Sequence, residues 1–286
     1  MIKHKDHFHG SDLEKIEEIY GIKKEEIVSF SANVNPLGVS PLLRTTLADK
    51  IDAITTYPDR EYTSLRKCIA AYCGTDHENV IVGNGSTELI SLFIQIEHPK
   101  KAMIIGPTYS EYEREISLGG GTTLYYPLRE KDDFRLDVND FISHLNENID
   151  LLVICNPNNP TSSCITSTDM RRILDACKEY DIYVMVDETY VEFAENMEEI
   201  DSVPLTNYYN NIVILRGTSK FFAAPGLRLG YAITGNHQGN QHTKESMDDQ
   251  LACSCCRGNN VFRYCLYQRD KGSDHKGTCT YVSGFL

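Results

Sequence analysis

Short apolar runs alternate with longer amphipathic stretches through the middle of this chain, and this alternation is the strongest constraint on its fold. The runs have the length of strands and are apolar throughout, which indicates strands covered on both faces. Such an alternation predicts an α/β fold with a mostly parallel sheet sandwiched by helices. The predicted strands are residues 80–82, 102–105, 151–154, 182–186 and 211–215. The predicted helices are residues 11–20, 41–51, 64–72, 86–96, 110–118, 138–145 and 167–180.

Polar segments follow the predicted strands at their carboxyl ends. In a parallel sheet these ends meet at one edge, and ligands bind where the following loops begin. We therefore expect five loops to converge on one site. They are residues 83–87 (G-N-G-S-T), 107–109 (P-T-Y), 156–161 (N-P-N-N-P-T), 187–190 (D-E-T-Y) and 217–220 (G-T-S-K).

The last of these loops begins a motif over residues 215–231 that reads L-R-G-T-S-K-F-F-A-A-P-G-L-R-L-G-Y. Lys220 follows the hydroxyl residues Thr218 and Ser219 and precedes Arg228 by eight positions. This layout is typical of a lysine that bonds to a carbonyl cofactor while hydroxyls and a guanidinium hold a phosphate. We interpret Lys220 as the carrier of pyridoxal 5′-phosphate, a nucleophile and then a general base. An isolated lysine, in contrast, is nearly always a solvated surface charge.

Two other loops offer the charges that such a cofactor requires. Gly85, Ser86 and Thr87 begin a predicted helix, whose free N–H groups suit a phosphate, although Ser or Thr at a helix start is more often a simple cap. Asp187 ends an apolar strand, where a carboxylate is costly unless a cation pairs with it. A protonated pyridine nitrogen is such a cation. An ordinary aspartate that caps the next turn is an equal alternative.

The remaining loops carry an amide and two phenols. Asn159 and Tyr190 are donors that could both reach the ring oxygen of the cofactor, and Tyr109 could stack on the ring face. The alternatives are a rigid turn at N-P-N-N-P, a surface aromatic at Tyr190 and local packing of Tyr109.

In their joint order, these motifs resemble the fold-type-I pyridoxal-phosphate enzymes, in the branch of the histidinol-phosphate aminotransferases and the L-threonine-O-3-phosphate decarboxylases. The resemblance runs from about residue 9 to residue 235. It implies catalytic roles for Lys220, Asp187 and Tyr190, and a homodimer in which Tyr57 reaches the site of the second subunit. The cofactor contacts that it implies are Gly85, Ser86, Thr87, Tyr109, Asn159, Asp187, Tyr190, Thr218, Ser219, Lys220, Arg228 and Tyr57.

Two segments distinguish the members of this branch. The early His9-Gly10-Ser11 and F-S-A-N-V-N-P-L-G at residues 30–38 look more like the decarboxylases of cobalamin biosynthesis than the aminotransferases, which tend to carry N-E-N-P. The resemblance implies that His9 and Asn33 lie near a phosphorylated amino-acid substrate. It favours decarboxylation of L-threonine O-3-phosphate to aminopropanol phosphate. The alternatives are an aminotransferase of the histidinol-phosphate type and a truncated, inactive member that retains only the cofactor site.

The overall charge limits the classes of partner. A formal net charge of -13 makes sequence-independent binding to nucleic acid a poor expectation, because such binding needs a basic face. The N-terminal residues lack the apolar core of a signal peptide, and no run approaches the roughly 18 apolar residues of a membrane span. We expect a soluble, cytoplasmic protein.

The last fifty residues differ in character from the rest. We expect an N-terminal arm with part of a small domain (residues 1–50), a large cofactor-binding domain (51–236) and an aberrant tail (237–286). The tail holds five of the ten cysteines, but their spacing lacks the paired C-x-x-C of common zinc sites, so we expect no metal site there. A disordered tail is a better alternative. The five are Cys253, Cys255, Cys256, Cys265 and Cys279.

The genetic code offers a third interpretation of this tail. Permitted codons for residues 246–251, read one base later, give P-W-T-I-N, which resembles the P-W-[ST]-x-N segment of the threonine-phosphate decarboxylases. We therefore hypothesise that residues 237–286 are translated out of frame. The coding DNA tests this hypothesis, because a stop codon or the lack of a helical pattern in the shifted frame would contradict it.

Overall fold

The computed structural model describes residues 13–235 and arranges them around a seven-stranded sheet. The strand order is β1-β7-β6-β5-β4-β2-β3, and all neighbours are parallel except β7, which runs antiparallel to β1 and β6. The predicted α/β class is confirmed. The strands are β1 Val80–Gly83, β2 Lys101–Gly106, β3 Thr122–Pro127, β4 Leu151–Cys155, β5 Tyr183–Asp187, β6 Ile212–Gly217 and β7 Gly230–Thr234. His9 and the tail, residues 237–286, lie outside the described residues.

The helices begin and end close to the positions that the sequence predicts. Ser40 caps the second helix, since its hydroxyl accepts a hydrogen bond from the Leu43 N–H at 3.1 Å, and Pro41 follows in the first turn. Thr166 caps the longest helix in the same way, through the Asp169 N–H at 3.1 Å. The α-helices are α1 Leu13–Tyr20, α2 Pro41–Asp49, α3 Thr63–Cys73, α4 Ser86–Glu97, α5 Glu111–Leu118, α6 Val138–Ser143, α7 Ser167–Glu179 and α8 Met197–Ile200. Within residues 13–235, no helix combines the length and the apolar character needed to cross a bilayer.

Successive strand residues enter different apolar clusters, as the alternation of side chains in a strand requires. Leu152 and Ile154 of β4 pack in a cluster with α3, α6 and α7, whereas Leu151 and Val153 pack with α4 and α5. The central strands are therefore covered by helices on both faces. This explains why their sequences are apolar throughout.

The sequence analysis did not predict two of the strands. β3 (T-T-L-Y-Y-P) is an edge strand in which only Tyr126 is buried, so it lacks the apolar signal of the central strands. β7 (G-Y-A-I-T) is fully buried but begins within the motif of residues 215–231, where turn residues dominate the pattern. It returns antiparallel between β1 and β6, a pairing that only the tertiary structure reveals.

A buried ion pair joins the carboxyl ends of β5 and β6. The Arg216 Nη2 and Nε atoms donate to Glu188 Oε2 at 2.7 and 3.1 Å, and Nη2 also donates to Asp201 Oδ1 at 2.6 Å. The Glu188 Oε1 atom accepts the Ser202 N–H at 2.8 Å. The side chains of Arg216 and Glu188 are 1% and 0% exposed. Because each partner compensates the charge of the other, loss of one leaves a buried charge unpaired.

We therefore expect Arg216→Met to lower the free energy of unfolding by about 3–5 kcal/mol, with part of the loss recovered in Arg216→Met/Glu188→Leu. Urea unfolding followed by circular dichroism measures both values. The matched control is Arg172→Met, which removes the exposed Arg172–Asp169 pair (3.0 Å) and is expected to cost no more than about 1 kcal/mol. Equal losses in Arg216→Met and Arg172→Met would contradict the role given to the buried pair.

Candidate functional site

A cavity of about 310 Å³ opens at the carboxyl edge of the sheet, a volume in the range of small-molecule sites. All five loops that the sequence predicts to converge contribute to its lining, together with residues 31–34 of the N-terminal segment. The expected convergence is thus observed. The sequence-predicted site residues that line the cavity are Asn33, Gly85, Ser86, Thr87, Tyr109, Asn159, Asp187, Tyr190, Ser219, Lys220 and Arg228.

Three residues of the predicted site have other positions. The Thr218 hydroxyl donates to the Leu229 carbonyl at 3.1 Å, and Thr218 does not line the cavity. Tyr57 is 98% exposed and also lies outside the cavity lining, so its role toward a second subunit stays a prediction. His9 is outside the described residues. Within the described part of the chain, no cluster of three or more His, Cys, Asp or Glu side chains is arranged to hold a metal ion.

One end of the cavity is suited to an anion. Helix α4 begins at Ser86, so its free N–H groups and positive dipole end lie at the cavity wall. The Arg228 Nη2 atom donates to the Asn84 carbonyl at 3.1 Å, which holds the guanidinium beside this turn. Gly85 has φ +86°, and a Cβ added to it would lie 2.5 Å from Arg228 Nη2. Glycine is therefore required for the turn and the arginine to approach each other.

The other end of the cavity carries a buried carboxylate. Asp187, the last residue of β5, is 5% exposed and accepts hydrogen bonds from the Thr189 N–H at 3.0 Å, the Thr189 hydroxyl and the Tyr112 hydroxyl at 2.7 Å. The sequence analysis did not identify Tyr112. Tyr112 lies three residues after Tyr109 in Y-S-E-Y, in the first turn of α5, and this spacing is the sequence signal that could have identified it.

Lys220 lines the same cavity and is half-buried. Burial lowers the pKa of Lys220, and the nearby Asp187 carboxylate partly opposes this effect. The amine nitrogen is 5.7 Å from the centre of the Tyr190 ring. Burial raises the pKa of Tyr190, whose hydroxyl hydrogen-bonds to Asn33 and, at 3.5 Å, accepts from the Asn159 amide. The Tyr190 ring and the Asp187 carboxylate are thus near neighbours of the lysine amine.

The loop of Lys220 is anchored by Asn35, which the sequence analysis did not single out. The Asn35 N–H donates to the Lys220 carbonyl at 3.0 Å, and its side-chain amide donates to the Phe221 carbonyl at 2.9 Å. From the sequence, residues 30–38 are a segment typical of the decarboxylases, with Asn33 predicted near the substrate. The N-x-N-P pattern of residues 33–36 also has a structural role, because Asn35 anchors this segment to the lysine loop.

A second cavity of about 750 Å³ lies beside the first and shares Asn33, Val34, Asn159 and Tyr190 with it. Asn33 and Tyr190 therefore lie at the border of the two cavities, one lined by the lysine and one lined by residues of the loop 157–164.

The residues of the first cavity fit pyridoxal phosphate. The start of α4 and Arg228 suit its phosphate, the buried Asp187 carboxylate suits a protonated ring nitrogen, and Lys220 is an amine of lowered pKa. Tyr109 is half-buried at the cavity wall and packs edge-on against Tyr112, with 5.6 Å between ring centres. The fold and the site together define a fold-type-I pyridoxal-phosphate protein.

Comparison with known proteins agrees with this class. The chain belongs to the aminotransferase class I and II family, whose model matches residues 25–253. The family and its relatives depend on pyridoxal phosphate. Residues matched to the family thus include the complete sheet and every described residue of the cavity.

Two relatives in this family are named for the same reaction. A protein of Caldanaerobacter subterraneus subsp. tengcongensis is 38% identical over 202 residues, 71% of this chain and 54% of its own length, and its name as a threonine-phosphate decarboxylase is provisional. The threonine-phosphate decarboxylase of Salmonella typhimurium is 32% identical over 228 residues, 80% of this chain and 62% of its own length. The chain therefore spans between about half and two thirds of the length of these relatives.

A solved structure of a histidinol-phosphate aminotransferase is also similar to this chain. The histidinol-phosphate aminotransferase of Clostridium acetobutylicum superposes with a TM-score of 0.68 at 29% identity, over 83% of this chain and 72% of its own. The same fold thus occurs in proteins named for two different reactions.

Gly85 and Arg228 approach so closely that a single methyl group added at Gly85 is expected to affect cofactor binding. We expect Gly85→Ala to raise the dissociation constant of pyridoxal phosphate about tenfold, because the Cβ displaces the guanidinium from the anion end. Absorbance titration with the cofactor measures this constant.

The control for this variant is Gly74→Ala, since Gly74 also has positive φ (+68°) but a Cβ there would meet open space. Both substitutions are expected to cost about 1–3 kcal/mol of backbone strain. Only Gly85→Ala should weaken cofactor binding, and equal affinities in the two variants would contradict the assignment of the anion end.

Proposed function

We propose that this protein decarboxylates L-threonine O-3-phosphate to aminopropanol phosphate in cobalamin biosynthesis. The observation that carries the proposal is the 38% and 32% identity to two relatives named as threonine-phosphate decarboxylases. The family model, which matches residues 25–253, includes the segments that supply the cavity. Because the chain covers only 54% and 62% of these relatives, the activity of the whole protein is itself part of the proposal.

In this proposal, the cofactor supplies an electron sink for bond cleavage at the substrate α-carbon. The Asp187 carboxylate pairs with the ring nitrogen, and Asn159 and Tyr190 donate hydrogen bonds to the ring oxygen. The phosphate contacts are Gly85, Ser86, Thr87, Ser219 and Arg228. This assignment is supported by the charge distribution in the cavity, which is positive at the start of α4 and negative at Asp187.

Lys220 has two roles in the proposal. Its amine would carry the cofactor and would also move a proton at the substrate α-carbon. The lowered pKa supports the first role, because a neutral amine is needed as nucleophile. Tyr190, whose ring centre lies 5.7 Å from the amine nitrogen, is well placed to restrict the motion of the lysine chain.

Substrate orientation decides between decarboxylation and transamination, since both reactions use the same cofactor contacts. We assign Asn33 and His9 to the substrate, and the position of Asn33 at the junction of the two cavities supports its part of this assignment. The aminotransferase alternative is supported by the C. acetobutylicum structure at 29% identity. A chain that binds the cofactor without turnover is the third possibility.

Incubation with each substrate separates these possibilities. We expect carbon dioxide release from L-threonine O-3-phosphate without any added keto acid. Lys220→Ala should reduce the rate by a factor of at least about 10³, because both proposed roles of the amine are lost. Lys178→Ala, an exposed lysine of α7, is the control and should retain the native rate. Turnover of histidinol phosphate that depends on 2-oxoglutarate would contradict the proposal and support the aminotransferase.

A homodimer is also part of the proposal. Apolar side chains of the N-terminal region are unusually exposed in the single chain, among them Phe30 (93%), Leu37 (90%) and Tyr57 (98%). Exposed apolar patches of this kind are typical of association surfaces. If a second copy of the chain covers these side chains, Tyr57 of one subunit would also lie close to the other subunit, as the resemblance implies.

Sedimentation velocity tests the dimer. Phe30→Ser/Leu37→Ser should shift the protein from dimer to monomer, because it removes exposed apolar area that the second subunit would bury. Leu118→Ser, at an exposed apolar position of α5 (53%), is the control and should sediment as the native protein does. A native protein that sediments as a monomer would contradict the proposal.

The domain division and the location complete the proposal. We keep residues 1–50 as an arm with part of a small domain, residues 51–236 as the large domain and residues 237–286 as an aberrant tail. A cytoplasmic location is supported by the free thiols of the five described cysteines, which suit a reducing compartment.

A further inference from the structure

The hydrogen bonds of Asp187 come from two separate parts of the fold. The Thr189 N–H (3.0 Å) and hydroxyl both bind Oδ1 and belong to the loop that follows Asp187 itself. The Tyr112 hydroxyl binds Oδ2 at 2.7 Å and comes from α5. Tyr112 is therefore the contact that ties this carboxylate to the helix layer.

Tyr112 is a rigid and permanent donor. Its side chain is 0% exposed and packs with Ile116 and residues of α4 in one of the two apolar clusters. Burial, reinforced by the negative charge of Asp187, raises the pKa of Tyr112 well above its ordinary value. The phenol thus keeps its proton, and its O–H group donates a hydrogen bond to Oδ2.

The geometry leaves little freedom to the carboxylate. Two carboxylate oxygens offer about four lone-pair directions, and the three donors from Thr189 and Tyr112 occupy three of them. The fourth lone-pair direction is on Oδ2 and has no donor among these contacts. It is available to a ligand, because Asp187 lines the cavity. Without the Tyr112 bond, Oδ2 would have no protein donor among these contacts, and the carboxylate would be held through Oδ1 alone.

We propose that Tyr112 is a positioning residue, whose hydroxyl orients the Asp187 carboxylate toward the ring nitrogen of the cofactor. This inference rests on the proposed pairing of Asp187 with that nitrogen. It assigns to Tyr112 a role in cofactor electronics that differs from the stacking proposed for its neighbour Tyr109.

Tyr112→Phe in the full chain tests the proposal, because it removes one oxygen atom and keeps the buried ring. The probe is pyridoxal phosphate labelled with ¹⁵N in the ring, and the readout is the chemical shift of that nitrogen in the bound state. We expect the resonance to move toward the unprotonated position. The dissociation constant of the cofactor should rise about tenfold, as expected when a hydrogen bond to a charged group is lost.

Tyr126→Phe is the matched control. The Tyr126 hydroxyl donates to Asp140 Oδ2 at 2.6 Å, an equivalent phenol–carboxylate bond in the other apolar cluster and away from the cavity lining. If Tyr112→Phe changes the ¹⁵N shift and the dissociation constant no more than Tyr126→Phe does, Tyr112 is a packing residue and the proposal is wrong.

Asp187→Asn separates this failure from failure of the underlying assignment. An amide at this position should move the ¹⁵N resonance at least as far as Tyr112→Phe does. A resonance that stays unchanged in Asp187→Asn would show that Asp187 does not pair with the ring nitrogen, and the inference about Tyr112 would fall with it. A shift in Asp187→Asn but not in Tyr112→Phe would overturn the positioning role alone.

Discussion

The parallel pairing of β4, β5 and β6 is the constraint on which the rest of the site depends. Its register places Cys155 opposite Asp187 and Asp187 opposite Leu215, so the three strands end at nearly the same level. The loops that carry Asn159, Tyr190 and Lys220 then begin side by side. A shift of one residue in this register would turn Asp187 to the other face of the sheet, where it would meet apolar side chains.

The ion pair of Arg216 and Glu188 reinforces this pairing where the ladder of backbone hydrogen bonds stops. Glu188 follows Asp187 directly, and Arg216 precedes Lys220 by four residues, so the pair joins the two loops with the greatest chemical importance. Burying two charges is expensive, and apolar residues of similar volume often give a stability at least as high. We infer that the pair is retained for the fixed geometry that it imposes on the strand ends.

The sequence predicted those features that follow from chain order and missed those that depend on pairing in space. Asp187 and Lys220 could be identified because each follows an apolar strand, and strand ends meet at one edge of a parallel sheet. The antiparallel insertion of β7 could not be predicted from the sequence, because its partners β1 and β6 are distant from one another along the chain. Tyr112 and Asn35 were missed for a related reason, since each acts on a residue more than 70 positions away.

The distribution of charge in the cavity limits how a ligand can bind. The anion end is formed by the start of α4 and Arg228, whereas the Asp187 carboxylate is a buried negative charge in the same cavity lining. A ligand with a phosphate at one end and a protonated ring nitrogen at the other can satisfy both ends in only one direction. In the reverse direction the phosphate would face the buried carboxylate, where like charges repel strongly because little water screens them. The two charged groups of the cavity therefore favour one end-to-end direction of the ligand.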